Sequence, residues 1–310
     1  MSITRRLPTT IITRQTAINN ANEANTNPPG GVNALTAATQ ARVVAQTPLY
    51  NQAIQASAAA KGNLNTHTPV KDGAVNTCRM LNSHFIQVFN LGVARGKYPA
   101  GHRSYYGLET SSDAVPDMGT EDLVKLWAHR LIDGDADRLL NGGLPMANPD
   151  IAEVQAALTA METQMTAHDN FVFLLDQKQE AVESMNALVD PIIKKVWDEV
   201  ETYFNEETPE SKRANARLWG VVYVTEGAPA TLTGLVKDPA GAVVPNALIT
   251  IDESSATATT NSEGRYVIET TVLGEVTLRT EVGALAGKIT LTIPDHTTGI
   301  DINVADIVLE

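Results

Sequence analysis

The sequence predicts a multidomain protein in which an α-helical region precedes a β region: an elongated helical bundle followed by a small β-sandwich. Two observations carry this prediction. Apolar residues keep a strict seven-residue repeat from Ile151 to Tyr203, which is typical of a long helix packed on other helices. From Trp219 onward the apolar period changes to two, and turn residues recur at short intervals, which is typical of a sandwich.

Residues 1–33 are predicted to form an extended N-terminal arm. They are rich in Thr, Asn and Ala and end in Asn27-Pro28-Pro29-Gly30-Gly31. A segment of this composition cannot bury enough apolar surface to order itself. We therefore expect either a neighbouring subunit or the arm's own bundle to hold it, and both alternatives stay open.

Residues 34–218 are predicted to form the helical bundle. An alanine-rich helix runs from Asn33 to about Asn65, and Pro48 within it predicts a kink or a break near Thr47. A turn at Thr66–Pro69 separates this helix from a second one, from about Val70 to Arg95.

An irregular loop at Gly96–Gly119 comes next in the bundle region. It contains Tyr98, Tyr105 and Tyr106, which would line a binding surface or a subunit contact. The helix that follows opens at Thr120 and is predicted to fade at Asp133-Gly134-Asp135.

The long helix is predicted at about residues 149–206, with Pro191 kinking it rather than stopping it, because the repeat keeps its register there. Its seam is the predicted assembly surface. Polar seam residues more often fix helix register and partner number than bind a ligand. We interpret His168, Gln179 and Asn186 in this way. The central seam positions are Met165, His168, Val172, Leu175, Gln179, Val182, Asn186 and Val189.

Residues 219–310 are predicted to form the β-sandwich, with about eight short strands separated by turns such as Asp238–Gly241 and Asn261–Gly264. The run from Gly234 to Ile251, continued by Thr257–Ile268, resembles the carboxypeptidase regulatory-like domain over about residues 230–310. The resemblance implies an immunoglobulin-like or transthyretin-like sandwich in which Gly264 marks a turn and Tyr266 a buried aromatic. It also implies an accessory or spacer module without catalytic residues of its own.

Composition limits the classes of partner. The chain of 310 residues has a formal net charge of -13, which disfavours nucleic acid and anionic lipid. No run reaches the roughly 18 apolar residues that cross a membrane. The first residues lack the apolar core of a conventional signal peptide, so we expect synthesis in the cytoplasm; assembly outside the cell would need another export route.

Catalytic, cofactor-binding and metal-binding residues are not predicted, and we expect no enzyme. No two of the six histidines share a metal-binding spacing. Asp133, Asp135 and Asp137 start like a calcium loop, but Arg138 stands where that loop needs glycine, so a surface acid cluster is the better interpretation. The single cysteine, Cys78, lies on an apolar helix face and is expected to be a small buried residue.

The anatomy favours a structural protein that self-assembles into a filament, a tube or another repeating particle through its bundle and arm, with the sandwich displayed outward. Its partner would be further copies of itself. The alternative is a binding module in which the sandwich recognises a surface glycan or a protein and the bundle is a stalk. An enzyme with its site in the Gly96–Gly119 loop is the least favoured hypothesis, because no pair of groups there has a catalytic spacing.

Overall fold

A computed structural model describes residues 2–283, 285–295 and 299–310. The histidine at position 296 therefore lies outside the described residues. The chain divides into two compact units: unit 1 comprises residues 1–55 and 180–310, and unit 2 comprises residues 56–179. A helical region is followed by a β region, which confirms the predicted fold class.

The described secondary structure consists of five α-helices, two short 3-10 helices and ten strands. The helices are α1 (Ile11–Thr26), α2 (Ala37–Ala94), α3 (Glu121–Leu140), α4 (Ile151–Tyr203) and α5 (Pro209–Arg217), with 3-10 turns at Pro29–Gly31 and Ala100–Tyr106. The strands are β1 (Ile3–Arg5), β2 (Tyr223–Thr225), β3 (Ala230–Lys237), β4 (Leu248–Ile251), β5 (Thr257–Thr259), β6 (Arg265–Thr270), β7 (Val272–Val282), β8 (Leu285–Ile293), β9 (Asp301–Asn303) and β10 (Ile307–Val308). None of the helices in these described ranges is long and apolar enough to cross a membrane.

The N-terminal 33 residues are not an extended arm, and that prediction was wrong. β1 pairs antiparallel with β2, and α1 packs into the first core of unit 1. Thr10 caps α1: its hydroxyl oxygen accepts a hydrogen bond from the Thr13 N–H, and the Thr13 hydroxyl oxygen accepts one from the Thr10 N–H. The side chains that α1 buries are small and follow helical spacing: Ala17, Ile18, Ala21 and Ala24.

Ion pairs also hold this segment to its own chain. The Arg5 guanidinium donates to Asp198, at 2.5 Å, and to Glu201, at 3.1 Å, on α4. Arg14 makes a bidentate pair with Asp190 on the same helix. Because the chain is strongly acidic, carboxylates lie within hydrogen-bonding distance of both arginines, and these charge-assisted hydrogen bonds are stronger than neutral ones. Of the two alternatives for holding the segment, the structure has the one within the chain.

Helix α2 is continuous over 58 residues, so the chain does not break near Thr47, where a kink or a break was predicted, and the predicted turn at Thr66–Pro69 is absent. Proline removes one helical hydrogen bond and frees the carbonyl four residues earlier. Pro48 and Pro69 both lie at exposed positions, where water can reach that carbonyl. Pro191 in α4 is also exposed, and α4 continues through it.

Unit 2 has a core built from α2, α3, α4 and the loop between α2 and α3. Tyr98 and Tyr106 are buried in it, so they do not form the exposed surface that the sequence suggested. The Phe89 ring stacks on Tyr98 at 5.3 Å and meets the edge of Tyr106 at 5.0 Å. Cys78 is fully buried in the same core, as expected.

Helix α3 continues to Leu140 instead of fading at Asp133–Asp135, because Asp135 is a core residue and not part of a surface acid cluster. Arg138 donates to its carboxylate at 2.7 Å, and the Tyr106 hydroxyl donates to it at 2.6 Å. Arg138 also donates to the Leu144 carbonyl. Gly134 is required beside this network, since a Cβ there would lie 2.4 Å from the Tyr105 carbonyl oxygen.

The β region of unit 1 is a sandwich of two sheets around a second core. One sheet has the order β1-β2-β7-β4-β5, with β8 paired along the other edge of β7. The second has the order β10-β3-β6, with β9 also paired to β3. Alternate residues of β3 and β6 point into the core, which is the period of two seen in the sequence.

Glycine is required at two positions of the sandwich near the buried Tyr266. A Cβ on Gly234 would lie 2.5 Å from the tyrosine hydroxyl, and the two residues are cross-strand partners in β3 and β6. Gly264, at φ 70°, turns the chain just before Tyr266. A side chain there would be strained by the backbone conformation and would also meet Val243 at 2.8 Å.

Candidate self-assembly surface

The seam of α4 is buried at its beginning and towards its end, but not in its middle. In unit 2, Val154, Leu158 and Met161 belong to the core. In unit 1, Val182 and Val189 are likewise buried, and Val189 belongs to the first core. Between them no residue from Glu162 to Ala181 is buried, although the seven-residue repeat is unbroken.

The predicted seam residues fall into two groups. Met165, His168 and Leu175 are half-buried, Met165 packs against the unit 2 core, and Val172 and Gln179 are exposed. In unit 1, Asn186 accepts a hydrogen bond from the buried Tyr50 hydroxyl at 2.7 Å, so a partner within the chain already engages it.

The middle of α4 carries five consecutive apolar residues, 171–175. Their exposed fractions include 36% for Val172, 60% for Phe173 and 43% for Leu174, while Phe171 and Leu175 are half-buried. Five residues cover more than one helical turn, so the run is apolar on every side of the helix. We name residues 171–175 the apolar girdle. Phe173 and Leu174 lie off the heptad seam and were missed, although the run FVFLL is legible in the sequence.

Helix α2 contacts the girdle on one side within unit 2. The His67 ring packs on Phe171 with ring centroids 4.9 Å apart, and it hydrogen bonds to Gln164. Three residues farther along α2, Val70 is 52% exposed. The contact of α2 with the girdle thus covers Phe171, whereas Phe173 and Leu174 remain open to solvent.

Burial raises the pKa of the Cys78 thiol to about 11, which keeps it protonated and unreactive at neutral pH. Within the described ranges, no cluster of three or more His, Cys, Asp or Glu side chains is arranged to hold a metal ion.

A polar groove of about 380 Å³ lies in unit 1 between α1 and the β4–β7 part of the sheet. The Arg279 guanidinium makes a bidentate pair with Asp252 at its wall. The groove offers amide, hydroxyl and charged groups for hydrogen bonding. Its polar lining residues are Gln15, Thr16, Asn19, Thr250, Asp252, Arg279 and Glu281.

Comparison with known proteins relates the C-terminal quarter of the chain to a known domain family. No curated protein matches the sequence. Residues 231–305 match the sequence model of the carboxypeptidase regulatory-like domain. The resemblance first read from Gly234, Gly264 and Tyr266 is thereby confirmed, and the β-sandwich of unit 1 carries a carboxypeptidase regulatory-like domain.

Proposed function

We propose that this protein is a structural protein that self-assembles into a filament, a tube or another repeating particle through the middle of α4. The observation that carries the proposal is the apolar girdle, residues 171–175, which is apolar around the whole helix and largely uncovered. A helix that is hydrophobic on all sides is normally buried by its surroundings.

The energetics favour further copies of the chain as that covering. Complete burial of a side chain such as Phe, Leu or Val is worth about 1.5–3 kcal/mol relative to exposure. Phe173, Leu174 and Val172 together supply several kcal/mol per chain. Identical chains present identical girdles, so each apolar group would meet another.

The distribution of the apolar groups supports a repeating assembly over a closed pair. A two-fold contact buries one self-complementary patch on each copy. Since the girdle is apolar on every side of α4, one neighbour leaves part of it exposed, and contacts on more than one side propagate. With residues 3–26 held within their own chain, this proposal no longer uses an N-terminal arm.

The experiment compares the natural chain with a triple variant, Val172→Gln, Phe173→Gln and Leu174→Gln. Glutamine keeps high helix propensity while removing the apolar surface. Light scattering coupled to size exclusion, and negative-stain microscopy, at low and high micromolar concentration should show large repeating particles for the natural chain and monomers for the variant.

The matched control is Leu188→Gln, at an exposed apolar position of α4 in unit 1. This variant should assemble like the natural chain. A natural chain that stays monodisperse and small at high concentration, or a triple variant that assembles normally, would contradict the proposal.

A second candidate is a binding module that recognises a glycan or a protein surface through unit 1, and the polar groove beside α1 favours it. Glycan-array binding by the full chain should then be lost in Arg279→Gln and kept in Arg265→Gln, whose side chain lies on the exposed side of β6. Binding unaffected by Arg279→Gln would remove the groove from consideration.

A further inference from the structure

Two histidines that are far apart in the sequence lie close together in unit 2. His67 belongs to α2 and His168 to α4, and their ring centroids are 6.3 Å apart at an interplanar angle of 42°. Both side chains are half-buried. They lie just before the apolar girdle, where neither helix buries a side chain in a core.

The hydrogen bonding of His67 determines which of its nitrogens is free. Nε2 lies 3.0 Å from the side-chain oxygen Oε1 of Gln164, which accepts but does not donate, so Nε2 carries the proton. Nδ1 then presents a lone pair. That atom is buried and has no hydrogen-bond partner among the residues that the structure describes.

This arrangement is the one that a metal-binding histidine adopts. A ligating imidazole typically donates its other ring N–H to an oxygen acceptor, which fixes the tautomer and the ring orientation. Gln164 supplies that acceptor for His67. A buried, unpartnered lone pair is otherwise unfavourable, because the nitrogen has given up hydration without a replacement.

The distance between the rings suits a shared ion. With metal–nitrogen bonds of about 2 Å, two imidazoles on one tetrahedral ion have ring centroids roughly 5 Å apart. The observed 6.3 Å is wider by about 1 Å, and small side-chain rotations close that gap. The geometry points to a two-histidine site, His67 and His168, that binds a first-row transition-metal ion such as Zn²⁺ or Ni²⁺ between α2 and α4.

Imidazole ligands select the class of ion, since they suit Zn, Cu and Ni, whereas Mg and Ca prefer oxygen ligands. Two protein ligands leave coordination positions for water. Asp169, whose Oδ1 lies 4.0 Å from His168 Nδ1, is an exposed carboxylate beside the pair. Both histidines belong to one chain and one unit, so the site needs no neighbouring copy of the chain to form.

The test is a titration of the untagged, chelator-treated full chain with ZnCl₂ or NiCl₂ by calorimetry and by thermal unfolding. We expect one equivalent to bind and the unfolding midpoint of unit 2 to rise by about 3–5 °C at saturation. His67→Gln and His168→Gln should each abolish the shift. Gln164→Leu, which removes only the acceptor that orients His67, should weaken binding about tenfold.

His84→Gln is the matched control, because His84 is exposed on the same helix α2 and should leave both readouts unchanged. Circular dichroism of each variant without metal verifies that it folds. If one of the two single-histidine variants does not fold, the other one is enough for the test. Equal binding by the natural chain and the folded variants, or no binding at millimolar metal, would overturn the site.

Discussion

Helix α4 contains two kinds of region that share one sequence pattern. From Val189 to Val200, the apolar seam residues pack with Tyr50 and Trp197 in the first core of unit 1. From Glu162 to Ala181, the same repeat continues with no buried residue. The repeat thus determines which side chains align on a helix, but not what covers them. Where the chain supplies no cover, the apolar residues are available for another molecule.

The largest expected difference in stability is between a buried and an exposed aromatic residue of α4. Trp197→Ala removes a fully buried indole and should lower the free energy of unfolding by about 3–5 kcal/mol. Phe173→Ala, in the apolar girdle, should change it by less than about 0.5 kcal/mol. Urea unfolding of dilute protein measures both without a contribution from association. Similar losses in the two variants would show that the girdle is covered within the chain.

Charges can be compared in the same way. Arg138→Met leaves the Asp135 carboxylate buried without its guanidinium and should cost about 3–5 kcal/mol of unfolding free energy. Adding Asp135→Leu should recover most of that loss. Lys125→Met breaks the exposed pair with Glu162 and should cost less than about 1 kcal/mol. A double variant as unstable as Arg138→Met would assign the loss to packing instead of charge.

A buried acid makes the stability of unit 1 depend on pH. Burial raises the pKa of Glu253 from its ordinary 4.5 to about 7, and the neighbouring Asp252 and Glu275 carboxylates act in the same direction. Because the folded state holds this proton more tightly than the unfolded chain, the Glu253 contribution to stability is complete below the unfolded pKa. It is lost as the pH rises towards the folded pKa.

Glu253→Gln should therefore stabilise unit 1 by about 2 kcal/mol near pH 8 and change little near pH 4, after discounting for partial exposure. A glutamine oxygen can still accept the hydrogen bond that the Thr277 N–H donates to Glu253. Urea unfolding of both proteins across this pH range gives the difference. Parallel stability curves would place the titration elsewhere.

The smallest expected effect concerns Asn186, the polar seam residue with a partner in the same chain. Tyr50→Phe removes the hydroxyl that donates to Asn186 and should lower the unfolding free energy by about 1 kcal/mol. Tyr203→Phe, at the exposed end of α4, should have no measurable effect. Thermal unfolding separates the two, and equal midpoints for both variants would mean that this hydrogen bond contributes nothing net.

Periodic patterns made α4 and the β-sandwich predictable. The helix expected at about 149–206 is observed as Ile151–Tyr203, and the alternation in β3 and β6 located the sandwich. Local helix propensity did not predict the structure where tertiary packing determines it. The uninterrupted α2 keeps its two prolines on exposed positions, and α1 forms because Ala17, Ile18 and Ala21 meet a core that no local pattern reveals.

Pairings between distant residues could not be read from one sequence. Asp135 resembled part of a surface acid cluster because its burial depends on Tyr106 and Arg138 together. The approach of His67 to His168 depends on how two long helices align, and no spacing within either helix encodes it. The apolar run of the girdle is visible in the sequence, but its exposure depends on the folded structure.

The lone thiol of Cys78 gives the molecule an internal reporter. Because it is completely enclosed in unit 2 and its thiolate is disfavoured, a thiol reagent can react only when that unit opens. The rate of labelling would then time the opening of one half of the natural protein without any engineered probe. Adding a metal ion or raising the protein concentration would slow the labelling of Cys78 if metal binding or association stabilises the closed state of unit 2.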